Sequence, residues 1–547
     1  MEAVRNSDSP DERRLRVAAF VVTRRFYGAL RGTLRPVDRP RDESISDDER
    51  EALLTIAHGA VVTSGGVSGQ RLLMTTVEVV LARGLGPAAY GVYALAWRIT
   101  QLLVKLVTFG SVPALQRYLP SYSDDPRRRS AVAGLAYLTT LAFGVAIAAA
   151  VWLSAPRLND LIVARPSFVP TMRAFGVLVV LLGVVTVGSA IFRAVGSARG
   201  EVLFNKLLRP AVRLVGAAVA LAVGYSVVGV AGAIVVCTGL LALAVVSSAA
   251  RVTGVVPSLR GTRGEARRFY NHVAPVAMSS LGKVFQNRID VLLVGALLTA
   301  VAAGVYNAVL VLVAIAWIPL LSFNQLLPPV ASELYADGRT ETLNAVYSSV
   351  TRLIVTTVVP ILATLVVYGR SLLGVFGATY VEGYLPLVVY LGGVSVGSAV
   401  GATGWLLMMT DHQYARMLLD WLLAVLNVGL TYAFIVRFGL VGAALGTSLA
   451  IAIQNGIQVL LLRRFEGLWP FDRTFLTPVA AGVVALAVMW GVRTAVPGRA
   501  AVVVGTVVGA ITYVGALRVL GVDPRDRLVV RELAGRYAAD LTHLLGR

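Results

Sequence analysis

Apolar segments recur along almost the whole chain, at approximately 56–82, 88–112, 130–153, 174–193, 210–227, 229–250, 273–297, 301–327, 351–369, 383–409, 417–436, 440–462, 475–492 and 499–520. Each approaches the roughly 20 residues that an α-helix needs to cross the hydrocarbon core of a bilayer. Backbone in lipid must satisfy its own hydrogen bonds, and continuous apolar runs of this length do so as helices. The pattern predicts an all-α polytopic membrane protein with about 14 transmembrane helices. Composition agrees, since 56% of the 547 residues are hydrophobic and only 15% are charged. A mean hydropathy of +0.74 is more apolar than a soluble interior could absorb.

The 50 basic residues give an independent test of this count, because Lys and Arg concentrate on the cytoplasmic side of a bilayer. With the N-terminus inside, 37 of them fall on the inner side, counting those near span ends such as Arg209 and Arg213, 8 on the outer side and 5 inside the membrane. The alternation supports fourteen spans with both termini cytoplasmic. Residues 1–50 carry eleven arginines and ten acids without a cleavable leader pattern, and read as a cytoplasmic tail. Within that tail, 15–34 mixes apolar residues with Arg16, Arg24, Arg25 and Arg31. It fits either a basic amphipathic helix on an anionic leaflet or a disordered tail.

Sliding the chain against itself by 213 positions places the GVY triplet of AAYGVYALA (88–96) over that of AAGVYNAVL (302–310), and Gly229 over Gly442. The repeat covers helices 1 to 6 and 7 to 12, and because six is even the two halves are parallel. The expected organisation is a tail (1–50), a first lobe (51–250), an inner loop (251–272), a second lobe (273–462), an extra hairpin (463–520) and a cytoplasmic tail (521–547). The two lobes would enclose a central cavity. Gly505 and Gly509 have the small-xxx-small spacing of close helix packing, although 53 glycines make such a pair common by chance.

Charges at bilayer depth are the informative residues, because each costs free energy unless it meets protein, water or a counter-ion. Arg71 and Glu78 lie in the first apolar segment, Arg98 and Lys105 in the second, and Lys283, Arg288 and Asp290 in the seventh. Arg71 to Glu78, Arg98 to Lys105 and Lys283 to Asp290 are each seven residues apart, which puts each pair on one helix face. Glu78 and Asp290 fit charge partners or coupling groups, or interhelical ion pairs. The five bases exceed the two acids by three, a surplus that calls for a hydrated cavity or an anionic ligand. Arg71, Arg98, Lys105, Lys283 and Arg288 are therefore the candidate cavity residues. Asp420, a few residues from the inner surface, fits a solvated interface.

Other motifs are absent. The one Gly-Lys pair, Gly282-Lys283, is followed by Val284, so no phosphate loop is present. There is no D-x-D cluster and no N-x-[ST] sequon, and His58, His272, His412 and His543 lack metal-ligand spacing. The single cysteine, Cys237, excludes an intrachain disulfide. The longest outer loop, 154–173, is too short for a catalytic domain. No cofactor, metal or enzymatic activity is expected, and the basic residues follow topology rather than a nucleic-acid surface.

Fourteen helices in two parallel repeats with a basic interior resemble the polysaccharide flippase family of the multidrug/oligosaccharidyl-lipid/polysaccharide superfamily. The carrying residues are LARGLGPAAYGVYALA from Leu81, RIDVLLVGALLTAVAAGVYNAV from Arg288, PPVASELYADGRTETLNAVYSSVTR from Pro328, and LLMMTDHQYARMLLD followed by Asn427. The resemblance covers about 56–462 and does not account for the N-terminal tail. It implies translocation of polyprenyl-(pyro)phosphate-linked oligosaccharides across the cytoplasmic membrane by alternating opening of two lobes. The implied partners are the anionic glycan-lipid, membrane lipids and glycan-biosynthesis enzymes. Two other readings stay open at this point, a drug or cation antiporter of the same superfamily and a membrane polysaccharide polymerase.

Overall fold

The computed structural model describes residues 45–271, 273, 289–498 and 500–545. The amphipathic tract expected at 15–34, and the candidates Lys283 and Arg288, lie outside them. The described residues are helical, with no strand among them. The helices are α1 (Asp47–Val107), α2 (Ser111–Ser121), α3 (Pro126–Leu158), α4 (Phe168–Ala194), α5 (Arg209–Ala222) and α6 (Val227–Thr253). They continue as α7 (Ile289–Leu297), α8 (Ala300–Ala316), α9 (Ile318–Phe323), α10 (Leu327–Ala336), α11 (Thr340–Gly374) and α12 (Tyr384–Ala399). The last are α13 (Thr403–Met409), α14 (Gln413–Glu466), α15 (Leu476–Ala495), α16 (Ala500–Leu520) and α17 (Pro524–Leu545).

Among the described residues, nine helical stretches are long and apolar enough to cross a membrane. Two of them each hold two expected spans: α1 with α2, and α14. The expected spans at 210–227, 273–297 and 301–327 are short, interrupted or partly outside the described residues, so the fourteen are not reproduced as a count. α1 breaks at Gly86, where φ is +75° ahead of Pro87, and α14 breaks at Gly439, where φ is +57°. Glycine adopts this left-handed backbone without the Cβ penalty that other residues incur. Shifted by 213, Gly86 falls on Thr299, between α7 and α8, and Ser226, between α5 and α6, falls on Gly439. The repeat thus places its chain breaks equivalently in both halves.

The repeated GVY triplets meet each other. A Cβ on Gly91 would collide with the carbonyl oxygen of Ala300, and one on Gly304 would lie 3.0 Å from the carbonyl oxygen of Pro87 and 3.2 Å from Gly91 Cα. Pro87 and Ala300 are themselves 213 apart, so the contact is reciprocal, as at a two-fold interface. The largest apolar core surrounds it, with Tyr93, Phe175, Val305, Tyr306 and Leu391 all fully enclosed. A second core lies elsewhere on α1, where Leu53, Ile56, Ala57 and Ala60 recur at i, i+3, i+4 and i+7. That stripe packs with Leu327, Val346 and Tyr347 of α10 and α11, and with Val529 and Leu533 of α17.

Large apolar side chains are exposed in rows, such as Val236, Leu240 and Leu243 on α6 and Val503, Val507 and Ile511 on α16. Apolar surface of this extent matches a lipid solvent. On α16 the two glycines do seat neighbours: Gly505 receives Tyr368 of α11, and Gly509 receives Met489 of α15.

Candidate functional site

A cavity of about 420 Å³ opens between the two arms of α1, α5 and the inward face of α8. Arg71 and Glu78 come from the first arm, Arg98 from the second, and Arg209 and Arg213 from α5, while Leu310 and Ala314 of α8 form an apolar wall. Local sequence explains the convergence. Arg71 and Glu78 are two turns apart, Arg209 and Arg213 about one, so each pair shares a face of its helix. The break at Gly86 lets the second arm return past the first, so that the Tyr90 hydroxyl donates to Glu78 Oε2 at 2.9 Å.

Glu78 is the hub of a buried network. Arg213 Nη2 donates to Glu78 Oε1 at 2.7 Å, and Arg213 Nε donates to the Tyr93 hydroxyl at 2.7 Å. The same guanidinium lies 3.9 Å from the centroid of Trp97, a cation–π contact that holds it flat. Asn307 of α8 ties the other half of the chain to this hub. Its Nδ2 donates to the Tyr90 hydroxyl at 2.7 Å and to Glu78 Oε2 at 3.4 Å. Its Oδ1 accepts from Arg98 Nη2 at 2.6 Å and Nε at 3.2 Å. Arg209 Nη1 donates to Asn205 Oδ1 at 3.3 Å.

Four arginines therefore line a chamber that holds one carboxylate, and that carboxylate is directly paired with Arg213. Among the described lining residues the basic groups outnumber the acidic by three. Guanidinium groups are planar forks suited to phosphate oxygens, and their charge cannot be shed by deprotonation. The chamber can host an anion, with apolar surface on α8 for its uncharged portion.

Of the sequence candidates, Arg71, Arg98 and Glu78 line this cavity. Lys105 does not: it is exposed in the last turn of α1, two turns beyond Arg98. It shares a face with Arg98 but sits about 10 Å farther along the axis, where a cation complements the helix C-terminus. Asp290 is buried away from the cavity lining, accepting from Val291 N at 2.9 Å and the Tyr306 hydroxyl at 3.0 Å. Arg209, Arg213 and Asn307 were not among the candidates. Arg209 and Arg213, counted among the inner-side bases, lie on the cavity wall. The signal was there, because Arg213 lies inside the apolar run 210–227. Asn307 directly follows the second GVY triplet, where the first half has Ala94.

The profile of a family described as polysaccharide biosynthesis proteins matches residues 80–383, more than half of the chain. The chain belongs to that family. A probable low-salt glycan biosynthesis flippase of Haloferax volcanii is 24% identical over 201 residues, which is 37% of this chain and 43% of the relative. The match thus spans less than half the length of that curated relative. Among solved structures, the lipid II flippase MurJ in an inward closed conformation superposes with a TM-score of 0.65 at 13% identity, covering 83% of this chain and 98% of that one. An inward-facing multidrug resistance transporter of the MATE family gives 0.63 at 16%, covering 73% and 94%. A transporter from Pyrococcus furiosus, described as having a binding pocket of reverse polarity, gives 0.52 at 17%, covering 78% and 99%. These likenesses establish the fold. This polysaccharide biosynthesis protein is a multi-pass membrane protein with the architecture of the multidrug/oligosaccharidyl-lipid/polysaccharide transporters.

Proposed function

We propose that this chain is a flippase that moves polyprenyl-phosphate- or pyrophosphate-linked oligosaccharides across the cytoplasmic membrane, by alternating access between its two lobes and with both termini cytoplasmic. The observation that carries the reading is the basic lining of the central cavity, four arginines to one glutamate among the described residues. A lipid (pyro)phosphate is an anion suited to such a lining, and the uncharged glycan and lipid portions need no counter-ion. The glycan flippase among its relatives and the fold shared with a lipid II flippase support the same class. Arg71, Arg98 and Arg209 are assigned to the headgroup and Arg213, braced by Glu78, to shaping the pocket. Lys283 and Arg288 remain part of the proposal as further cavity bases contributed by the second half. Glycan-assembling enzymes on the cytoplasmic face are the natural source of the cargo.

Export of cationic drugs is the competing activity, because the fold is shared with a multidrug transporter. That cargo would enter a chamber whose charge repels it. The test is translocation of a glycan-linked polyprenyl pyrophosphate in proteoliposomes, scored per folded protein, for the wild type and for Arg98→Ala and Arg209→Ala. Transport by the wild type with loss in both variants, and partial rescue by lysine, is the expected result. Export of a lipophilic cation with no movement of the glycan-lipid would refute it.

A further inference from the structure

A second chamber, of about 150 Å³, lies in the other half of the chain, between α9, α12, α13 and α14. Four carboxamides line it, Asn324, Gln454, Asn455 and Gln458, together with the indoles of Trp317 and Trp405. Two of the amides are tied into the scaffold. Gln454 Nε2 donates to the Leu419 carbonyl and to Asp420 Oδ1, both at 3.2 Å, and Asn455 Nδ2 donates to the Ile451 carbonyl at 2.8 Å. Asn324 has unmet capacity: its buried Oδ1 has no hydrogen-bond partner among the described residues. Gln458, 2% exposed, lines the chamber beside it. Polar atoms left unpaired at depth in a membrane protein are costly and call for an explanation.

The chemistry of the lining selects the occupant. Arg416 reaches the chamber, but its Nη2 lies 2.8 Å from Asp420, so this arginine's charge is spent. The chamber is therefore polar yet close to neutral, unlike the central cavity. A carboxamide offers two donors and an acceptor, the complement of hydroxyls that donate and accept at once. Indole faces provide flat apolar surface for the C–H face of a ring. A cavity of this volume is of the size that admits one six-membered ring. Position links it to the cargo route. Leu310 and Ala314 line the central cavity, while Trp317 and Asn324, seven and fourteen residues beyond Leu310, line this one. Helical spacing puts these four residues within about 80° of one another along the run of α8 and α9.

We infer that this chamber is a sugar subsite, taking one neutral pyranose ring of the glycan through Gln458, Asn324 and the two indoles. The inference rests on the flippase reading and extends it by separating the two ends of the cargo, phosphate at the arginines and sugar at the amides. Gly404 belongs to the same device, since a Cβ there would occupy the place of the Arg416 guanidinium.

The experiment uses the full chain in lipid nanodiscs and saturation-transfer NMR with methyl glucoside, methyl galactoside, N-acetylglucosamine and rhamnose as probes. At least one sugar is expected to give a saturable signal that weakens tenfold or more in Gln458→Leu and also falls in Trp405→Ala. The thermal midpoint of Gln458→Leu should stay close to that of the wild type, because leucine nearly conserves the side-chain volume. Farnesyl diphosphate, the probe for the other chamber, should bind wild type and Gln458→Leu equally. If no sugar gives a signal that Gln458→Leu removes, the subsite is overturned, and retained farnesyl diphosphate binding would show that the flippase reading survives it. A Gln458-dependent response to sodium chloride in place of sugars would also overturn it, as a cation site. Sugar binding without any diphosphate binding would sustain the subsite and sink the phosphate assignment.

Discussion

Around Arg352 three aspartates converge on one guanidinium, whereas in the central cavity four guanidiniums share one glutamate. Arg352 is 1% exposed, donating Nε to Asp526 Oδ2 at 2.7 Å and Nη2 to Asp526 Oδ1 at 2.9 Å. Its Nη2 also lies 3.0 Å from Asp523, and its Nη1 bonds Asp472 and, at 2.9 Å, Thr474. These partners come from α17, from the turn before it and from the segment ahead of α15, so the cluster joins three parts of the chain to α11. Every donor direction is used, which leaves a foreign anion nothing to bind. In the cavity Arg213 is tied to Glu78, whereas Arg98 and Arg209 are braced by the neutral amides of Asn307 and Asn205, which orient a guanidinium without cancelling its charge. An arginine saturated with carboxylates acts as a fastener, and one held by amides and hydroxyls keeps its charge for a ligand.

Removing the fastener should have the largest effect. Arg352→Met leaves three carboxylates together with no cation among them, and breaking a buried ion pair from one side costs about 3–5 kcal/mol. Thermal unfolding in detergent should show a large drop in midpoint and folded yield, partly recovered by adding Asp526→Asn. A variant as stable as the wild type would remove the distinction between the two clusters. Glu78→Gln comes next. It keeps hydrogen-bond capacity but strips the counter-charge from Arg213, so a loss of about 1–3 kcal/mol is expected. Binding of a polyprenyl diphosphate should be retained or strengthened by the extra surplus. Loss of stability together with loss of that binding would make Glu78 part of the ligand site.

The cavity arginines should behave in the opposite way. Arg98→Ala removes one charge-assisted contact, about 1.5–3 kcal/mol, or roughly tenfold to a hundredfold in affinity. The midpoint should move less than for Arg352→Met, because the hydrogen bonds of this part-buried guanidinium to Asn307 are to a neutral amide. Farnesyl diphosphate affinity measured beside thermal unfolding separates these outcomes. A large stability loss at unchanged affinity would place Arg98 with Arg352 as a fastener.

The sequence carried this contrast only in part. The fold class was legible because apolar run length and the placement of arginines are each tied to the bilayer by a strong energetic rule, and the GVY repeat survives as a physical contact between Gly91 and Gly304. Arg71, Arg98 and Glu78 were legible as charges stranded in apolar runs. Arg213 was missed because the positive-inside count treated arginines near a span end as solvated, and only the path of α5 shows that this one turns inward. Lys105 lies outside the lining for the complementary reason, since helical spacing fixes the face a residue occupies but not how far along the axis the cavity extends. The pairing of Arg352 with Asp472, Asp523 and Asp526 spans separations of 120 to 174 residues, beyond any local pattern.

The smallest predicted effect concerns protons at the fastener. Asp526 lies outside the membrane-crossing helices, and its carboxyl is held above its ordinary value of 3.8 chiefly by burial, with Asp523 and Asp472 adding to the rise and Arg352 opposing it. A carboxyl whose pKa is raised in the folded state binds protons more readily folded than unfolded, between the ordinary value and the raised one. Stability should therefore fall as pH rises through that window and grow as pH descends through it, the reverse of an aspartate whose pKa is depressed by its ion pair. Other carboxylates in the chain respond to acid as well, so the informative quantity is a difference. Thermal midpoints of the wild type and Asp526→Asn should be followed from neutral pH down to the ordinary aspartate range. The wild type should gain on the variant as pH falls, because only it has this proton to take up. Parallel curves, or a wild type that loses ground, would mean that Arg352 outweighs burial at Asp526 and that the cluster's surplus negative charge is carried elsewhere.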